Sequence, residues 1–150
     1  MTARIILTPA QRKAGEGLRQ ACGSGSVHVL RGKARSGKTT VLKWLHVRCG
    51  GSLLDAGRLL EEPFLTALEQ SLERNDLLLV DDLHLVANRS RDYLLDAALT
   101  TLLAEAAVRS KTLVFAIEGS APFPVRRRAS VWEIADRDLP RAASAPVLTR

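Results

Sequence analysis

Gly32-Lys33-Ala34-Arg35-Ser36-Gly37-Lys38-Thr39 satisfies the pattern G-x-x-x-x-G-K-[ST] at every specified position. Glycine at either end lets the backbone close around a phosphate where a side chain would collide. The N–H groups of such a loop point inward at the start of the following helix, whose terminus carries partial positive charge and unpaired donors. Lys38 is placed to reach the β- and γ-phosphates of a nucleotide, and Thr39 to hold Mg2+. Thr40, next in the first helical turn, is grouped with Gly32 to Thr39 as nucleotide-binding.

The flanking residues suit that reading. Val27-His28-Val29-Leu30 predicts a short strand before the loop, and Val41, Leu42, Trp44, Leu45 and Val47 predict an apolar helix face after it. Gly50-Gly51 predicts the helix stop.

Composition sets the class. With 150 residues, 46% hydrophobic and 25% charged, the chain suits one soluble domain with a real core. No apolar run approaches the roughly 18 residues of a membrane span, and Ile5-Ile6-Leu7 is too short an apolar stretch for a secretory signal. Cys22 and Cys49 lack metal-site or disulfide-framework spacing; they predict buried thiols in a reducing compartment, the cytoplasm. The net charge of +6 is uneven: residues 1–50 balance at +9, residues 51–100 at −6 and residues 101–150 at +3. Part of the first excess belongs to a polyphosphate site. The remainder suits a solvated surface, contact with an acidic face of a neighbouring copy, or nucleic acid.

Taken in order, Thr8-Pro9-Ala10-Gln11 predicts a helix start, with Thr8 as cap, Pro9 in the first helical position and Gln11 completing a capping box. That helix covers 8–22, with Ala10, Ala14, Leu18, Ala21 and Cys22 as its apolar stripe; Gly15 and Gly17 weaken it. Ser52-Leu53-Leu54 predicts a strand, and Phe64, Leu65, Leu68 and Leu72 predict one face of a helix over 61–75. Leu77-Leu78-Leu79-Val80 suits a central parallel strand buried on both faces. Asp81 and Asp82 stand at its C-terminal end, where open α/β sheets bind ligands. Lying 43 residues after Lys38, with a strand–helix unit between, this stretch resembles the second signature of phosphate-loop proteins, the Walker B motif. Asp81 would hold Mg2+, directly or through water, and Asp82 would orient and polarise the attacking water.

A helix over 91–109 follows, then a wholly apolar strand, Thr112 to Ile117. Glu118-Gly119-Ser120 sits at its end, where Ser120 or Glu118 could meet the γ-phosphate or the water; the alternative is a plain turn. Pro122-Phe123-Pro124 predicts a stiff link. Arg126-Arg127-Arg128 predicts a solvated cluster, a nucleic-acid patch or an anion-sensing element, and Val131 to Ile134 a last strand. Residues 137–150 predict an extended polar tail, which leaves a core over 1–136 with its nucleotide-binding sheet over 27–134.

The ordered set of phosphate loop, apolar strand ending in Asp81-Asp82, second apolar strand, and arginines before one more strand resembles the nucleotide-binding core of AAA+ ATPases over roughly residues 8–136. The resemblance implies a three-layer α/β sandwich with about five parallel strands and helices on both faces. It implies ATP and Mg2+ as cofactors, with Gly32 to Thr39 on the triphosphate and Asp81 and Asp82 as the metal and water acids. Ser120 or Glu118 falls at the sensor position. One of Arg126, Arg127 and Arg128 matches the arginine finger, which in this family reaches the nucleotide of a neighbouring subunit and makes hydrolysis depend on assembly into a homo-oligomer. Three departures stand out. The usual Asp-Glu pair is Asp-Asp, as in some bacterial replication initiators and helicase loaders. The sensor position lacks the common Asn or Thr. No helical lid follows the last strand, which implies a cut-down domain, a fragment or a slow ATPase.

Three functions fit these residues. The first is an ATPase core that assembles or remodels a protein partner. The second is a nucleic-acid motor or loader, since Leu7-Thr8-Pro9-Ala10-Gln11 is also similar to the segment of superfamily 1 helicases whose glutamine reads adenine. The third is a nucleotide-binding switch with little turnover. The guanine-reading sequence Asn-Lys-x-Asp is absent, which favours adenine.

Overall fold

The computed structural model describes residues 5–22, 25–58, 61–85, 94–119 and 129–135. Thr8 opens α1 (Pro9–Ala21). Its hydroxyl accepts from the Gln11 N–H at 3.3 Å, while Gln11 Oε1 accepts from the Thr8 N–H at 3.0 Å. The predicted capping box is therefore complete, and it satisfies two donors that a helix start leaves open. β1 (Val27–Gly32), α2 (Lys38–Cys49), β2 (Ser52–Asp55), α3 (Glu61–Arg74), β3 (Leu77–Asp81), α4 (Leu94–Val108), β4 (Thr112–Glu118) and β5 (Ser130–Glu133) follow.

The strands pair in parallel in the order β2-β3-β4-β1-β5. Each apolar run serves two cores, because successive strand residues point to opposite faces. Leu78, Val80, Leu113, Phe115 and Ile117 pack with Phe64, Leu68 and Leu72 of α3 and Leu99 and Leu103 of α4. Leu77, Leu79, Val114 and Ala116 pack with Leu18 of α1 and Val41, Leu42, Trp44 and Leu45 of α2. The result is the expected three-layer sandwich with a five-stranded parallel sheet. Burial on both faces is why β3 and β4 read as unbroken apolar runs rather than as alternation.

Two expectations need correction. Val47 does not join the apolar face of α2; it is 61% exposed. It lies two residues past Leu45, roughly 200° around the helix, and so points away from the sheet. Cys22 and Cys49 are half-buried rather than buried, because each sits at the C-terminal end of its helix. Burial, together with the hydrogen bond that the Cys22 thiol donates to neighbouring Cys49, pushes the Cys22 thiol up to about 12. The predicted tail over 137–150, the link over 122–124, Ser120, Arg126, Arg127 and Arg128 lie outside the described residues, as do residues 91–93 of the predicted 91–109 helix.

The glycines of α1 have a packing role that a helix-propensity reading misses. Gly15 faces the Trp44 ring, whose Cζ3 would lie 3.2 Å from an added Cβ. Gly17 faces Trp132 of β5 so closely that an added Cβ would overlap its ring. Trp132 cannot readily step aside: its indole N–H donates to His28 Nδ1 at 3.1 Å, and the other ring nitrogen of His28 lies 2.7 Å from Ser26 Oγ. Burial holds His28 below the ordinary histidine range, which keeps Nδ1 free to accept. Gly17→Ala is therefore expected to lower stability by roughly 1–3 kcal/mol through overpacking, despite alanine's gain of about 1 kcal/mol in helix propensity. Gly15→Ala should cost less. Urea unfolding of the two variants checks the order; a more stable Gly17→Ala protein would contradict this packing.

Candidate functional site

β1 ends at Gly32, beside Glu118 of β4, and the chain turns back through a Ser36 N–H to Lys33 carbonyl bond of 3.0 Å. Gly37 then caps α2 with φ +96°, a conformation open to glycine but strained for other residues. No side chain caps this helix end, and its first turn carries no acid. The first N–H groups of α2 therefore face the loop interior without a carboxylate or hydroxyl over them, which suits an incoming anion. Ser36 Oγ is buried and has no hydrogen-bond partner. An orphaned hydroxyl inside a positively polarised loop is a further group a phosphate oxygen would satisfy.

Lys38 is 7% exposed, and its ammonium donates to the Gly32 and Lys33 carbonyls, both at 2.9 Å. Burial holds its pKa below the ordinary lysine range, against the opposing pull of Glu118, Asp81 and Asp82. Asp81 is 5% exposed at the end of β3. Its Oδ1 accepts from the Asp82 N–H at 3.0 Å and its Oδ2 from Thr39 Oγ1 at 2.5 Å. Both carboxylate oxygens are thereby aimed, one of them directly at the phosphate-loop threonine. Among the described residues no group of three or more His, Cys, Asp and Glu forms a ready-made metal cage. The Thr39–Asp81 pair instead fits Mg2+, which takes one or two protein oxygens and completes its shell with water and phosphate.

Asp82 leaves the strand with φ +57°. Burial raises its pKa first, and the charges of Asp81 and Asp55 add to the shift. Asp55, at the end of β2, is the register partner of Asp81. Asp82 joins Lys38, Thr39, Thr40, Arg35 and Gly37 in lining one cleft of about 410 Å³. Gly32 and Lys33 line the neighbouring hollow beside Gly119 and Glu133. Glu118, one of the two sensor-position candidates, also lines the first cleft; the other, Ser120, lies outside the described residues.

Two contacts were not visible in the sequence. His84 is 8% exposed, lines the cleft, and accepts the Glu118 backbone N–H on Nδ1 at 3.2 Å, tying the end of β4 to the helical turn after Asp82. A lone histidine two residues past the acids carries no motif to announce this. Gln11 does more than cap α1: its Nε2 donates to the Ser36 carbonyl at 2.9 Å, and its amide fills the space that a Cβ on residue 37 would need. One side chain thus starts α1 and clips the phosphate loop.

That dual use gives a clean separation. Gln11→Glu keeps the acceptor that a capping box requires but loses the amide donor to Ser36. It is expected to lower the melting temperature modestly, because a carboxylate oxygen then faces the Ser36 carbonyl, and to weaken Mg·ATP binding about tenfold, with the ATP-to-GTP ratio unaltered. A lost preference between the two nucleotides would instead assign Gln11 to the base.

No family model matches the chain, and no curated protein matches it. Solved structures do. A structure described as a DNA replication initiation factor aligns with 16% identity and a TM-score of 0.62 over 87% of this chain and 48% of its own. Domain III of the Thermotoga maritima replication initiation protein DnaA aligns with 15% identity and a TM-score of 0.58 over 88% of this chain and 65% of its own. Pif1 helicase from Candida albicans aligns with 14% identity and a TM-score of 0.53 over 87% and 40%. The chain spans about half the length of the first of these. What the chain shares with these structures is the fold, a three-layer α/β sandwich around a five-stranded parallel sheet.

Proposed function

We propose that this chain is an AAA+ type ATPase core that binds ATP with Mg2+ and hydrolyses it in step with the assembly or remodelling of a protein partner, in the cytoplasm. The observation that carries the proposal is the Thr39–Asp81 bond beside Lys38 and an uncapped α2 N-terminus. The backbone N–H groups of Gly32 to Thr40 would cradle the phosphates, and Lys38 would neutralise charge on the β- and γ-oxygens. Thr39 and Asp81 would hold Mg2+, which supplies charge neutralisation between the phosphates. Asp82 would align a water for in-line attack and accept its proton, aided by a pKa that burial raises above the ordinary aspartate value. Ser120 or Glu118 would steady the γ-phosphate or that water. One of Arg126, Arg127 and Arg128 would serve a neighbouring subunit's nucleotide.

Turnover measured against protein concentration tests this reading, for the parent and for Arg126→Ala, Arg127→Ala and Arg128→Ala. Specific activity should rise as the protein assembles, and at least one arginine variant should lose that rise while keeping its nucleotide affinity. Failure of Mg·ATP to bind at millimolar concentration would overturn the whole reading; concentration-independent turnover would overturn the arginine's role. The basic layer described next supports nucleic acid as a second class of partner.

A further inference from the structure

The two helical layers carry opposite charge. On one face of the sheet, α1 and α2 hold Arg12, Lys13, Arg19, Lys38, Lys43 and Arg48 against Glu16 alone, a balance of +5. On the other, the described charged side chains of α3 and α4 are Glu69, Glu73 and Glu105 against Arg74, a balance of −2. Lys38 turns inward to the nucleotide cleft; Arg12, Lys13, Arg19, Lys43 and Arg48 are exposed. Three of the five converge at one place. The guanidiniums of Arg12 and Arg19 from α1 and of Arg48 from α2 all act on the one carboxylate, Glu16. Arg19 meets it at 2.7 Å, which occupies one cation and leaves the others in excess. Arg48 lies over the Trp44 ring, its Cζ 4.9 Å from the centroid, and is thereby held at the α1–α2 seam.

We infer that the outer face of α1 and α2 docks the phosphodiester backbone of a nucleic acid. This goes beyond the ATPase reading and does not rest on it. Two features favour a polyanion over the acidic layer of a second copy. The face offers long cationic side chains on two adjacent helices, which suits a line of phosphates. It also lacks the apolar centre on which protein–protein interfaces rely: the sole large exposed hydrophobe of α1 and α2, among the described residues, is Val47.

The test is fluorescence anisotropy on the full chain without nucleotide, using a labelled 20-base-pair duplex and a labelled 20-mer of thymidines, across a salt series. The four cations outside the Arg19–Glu16 pair should give a slope of log K against log salt of about −3.6 on the duplex and about −2.8 on the single strand. The double variant Lys13→Glu, Lys43→Glu should bind at least tenfold more weakly, and the milder Lys13→Gln, Lys43→Gln should flatten the duplex slope by about two. The neutral pair guards against a fold-level effect of charge reversal. Binding should persist in Lys38→Ala, which separates this face from the phosphate loop, and basal turnover of the Gln pair should match the parent. Unchanged affinity and slope in both double variants would overturn the inference. So would a parent that ignores both oligonucleotides and instead forms salt-sensitive assemblies, which would assign the face to the acidic layer of another copy.

Discussion

Lys38→Ala is expected to weaken Mg·ATP binding by at least about 100-fold while leaving the protein folded. The side chain is almost fully buried, yet its ammonium is the loop's only bond to either carbonyl that alanine would remove. The Gly32 carbonyl also accepts from the Gly119 N–H at 2.7 Å, and the Lys33 carbonyl from the Ser36 N–H at 3.0 Å. Truncation therefore orphans neither acceptor, and the usual penalty for an unsatisfied buried group does not arise. Burial already disfavours the charge on Lys38, so its removal relieves a desolvation cost in the ligand-free protein. What is lost is lost on binding. A charge-assisted hydrogen bond contributes about 1.5–3 kcal/mol, so two to the phosphates at the low end correspond to about 100-fold in affinity. Lys38→Arg should fare little better, because the planar guanidinium cannot occupy a socket shaped for a point charge between two carbonyls. Calorimetric titration with Mg·ATP beside a thermal melt checks both halves. Affinity within about threefold of the parent would place the phosphates somewhere other than this loop.

How much of this was legible in the sequence depended on range. The phosphate loop could be read because its chemistry is written in eight consecutive residues, and β3 because four apolar residues end in two acids. Helix α1 could be read because its capping box is local, spanning Thr8 to Gln11. The clip from Gln11 to Ser36 could not: it joins residues 25 apart, and neither partner is unusual where it stands. Gly17 shows the same limit from the other side. Within its own helix it is only a weak former; its reason is Trp132, on a strand more than a hundred residues later. His84 and Asp55 are likewise site residues only because the parallel register brings the ends of β2, β3 and β4 together. The opposed charge of the two helical layers was half visible, as a shift in balance along the chain. Only the fold converts that shift into two faces.

Asp82→Asn is expected to keep nucleotide binding, slow turnover by about 10²–10⁴-fold, and make the protein more stable at neutral pH. The first two follow from removing a proton acceptor while leaving the shape of the site intact. Asparagine is well suited here for a further reason: residue 82 sits at φ +57°, a left-handed conformation that asparagine tolerates better than most residues. The stability gain follows from linkage. The Asp82 pKa is raised in the folded state, by burial first and then by Asp81 and Asp55. A carboxyl with a raised folded pKa binds its proton more tightly folded than unfolded. The ionised form therefore destabilises the fold at every pH above the folded pKa, and that cost is relieved as pH falls through the folded pKa toward the unfolded value. The neutral amide removes the cost at neutral pH, so the gap in melting temperature between variant and parent should shrink as pH is lowered through the raised Asp82 pKa toward the ordinary aspartate value. A site that holds an unfavourable charge where it is needed for chemistry is the expected trade of stability for activity. Parallel melts and single-turnover assays across that pH range decide it. A variant that melts below the parent at neutral pH would show that the Asp82 carboxylate supports the fold, and a variant with parental turnover would remove it from the reaction.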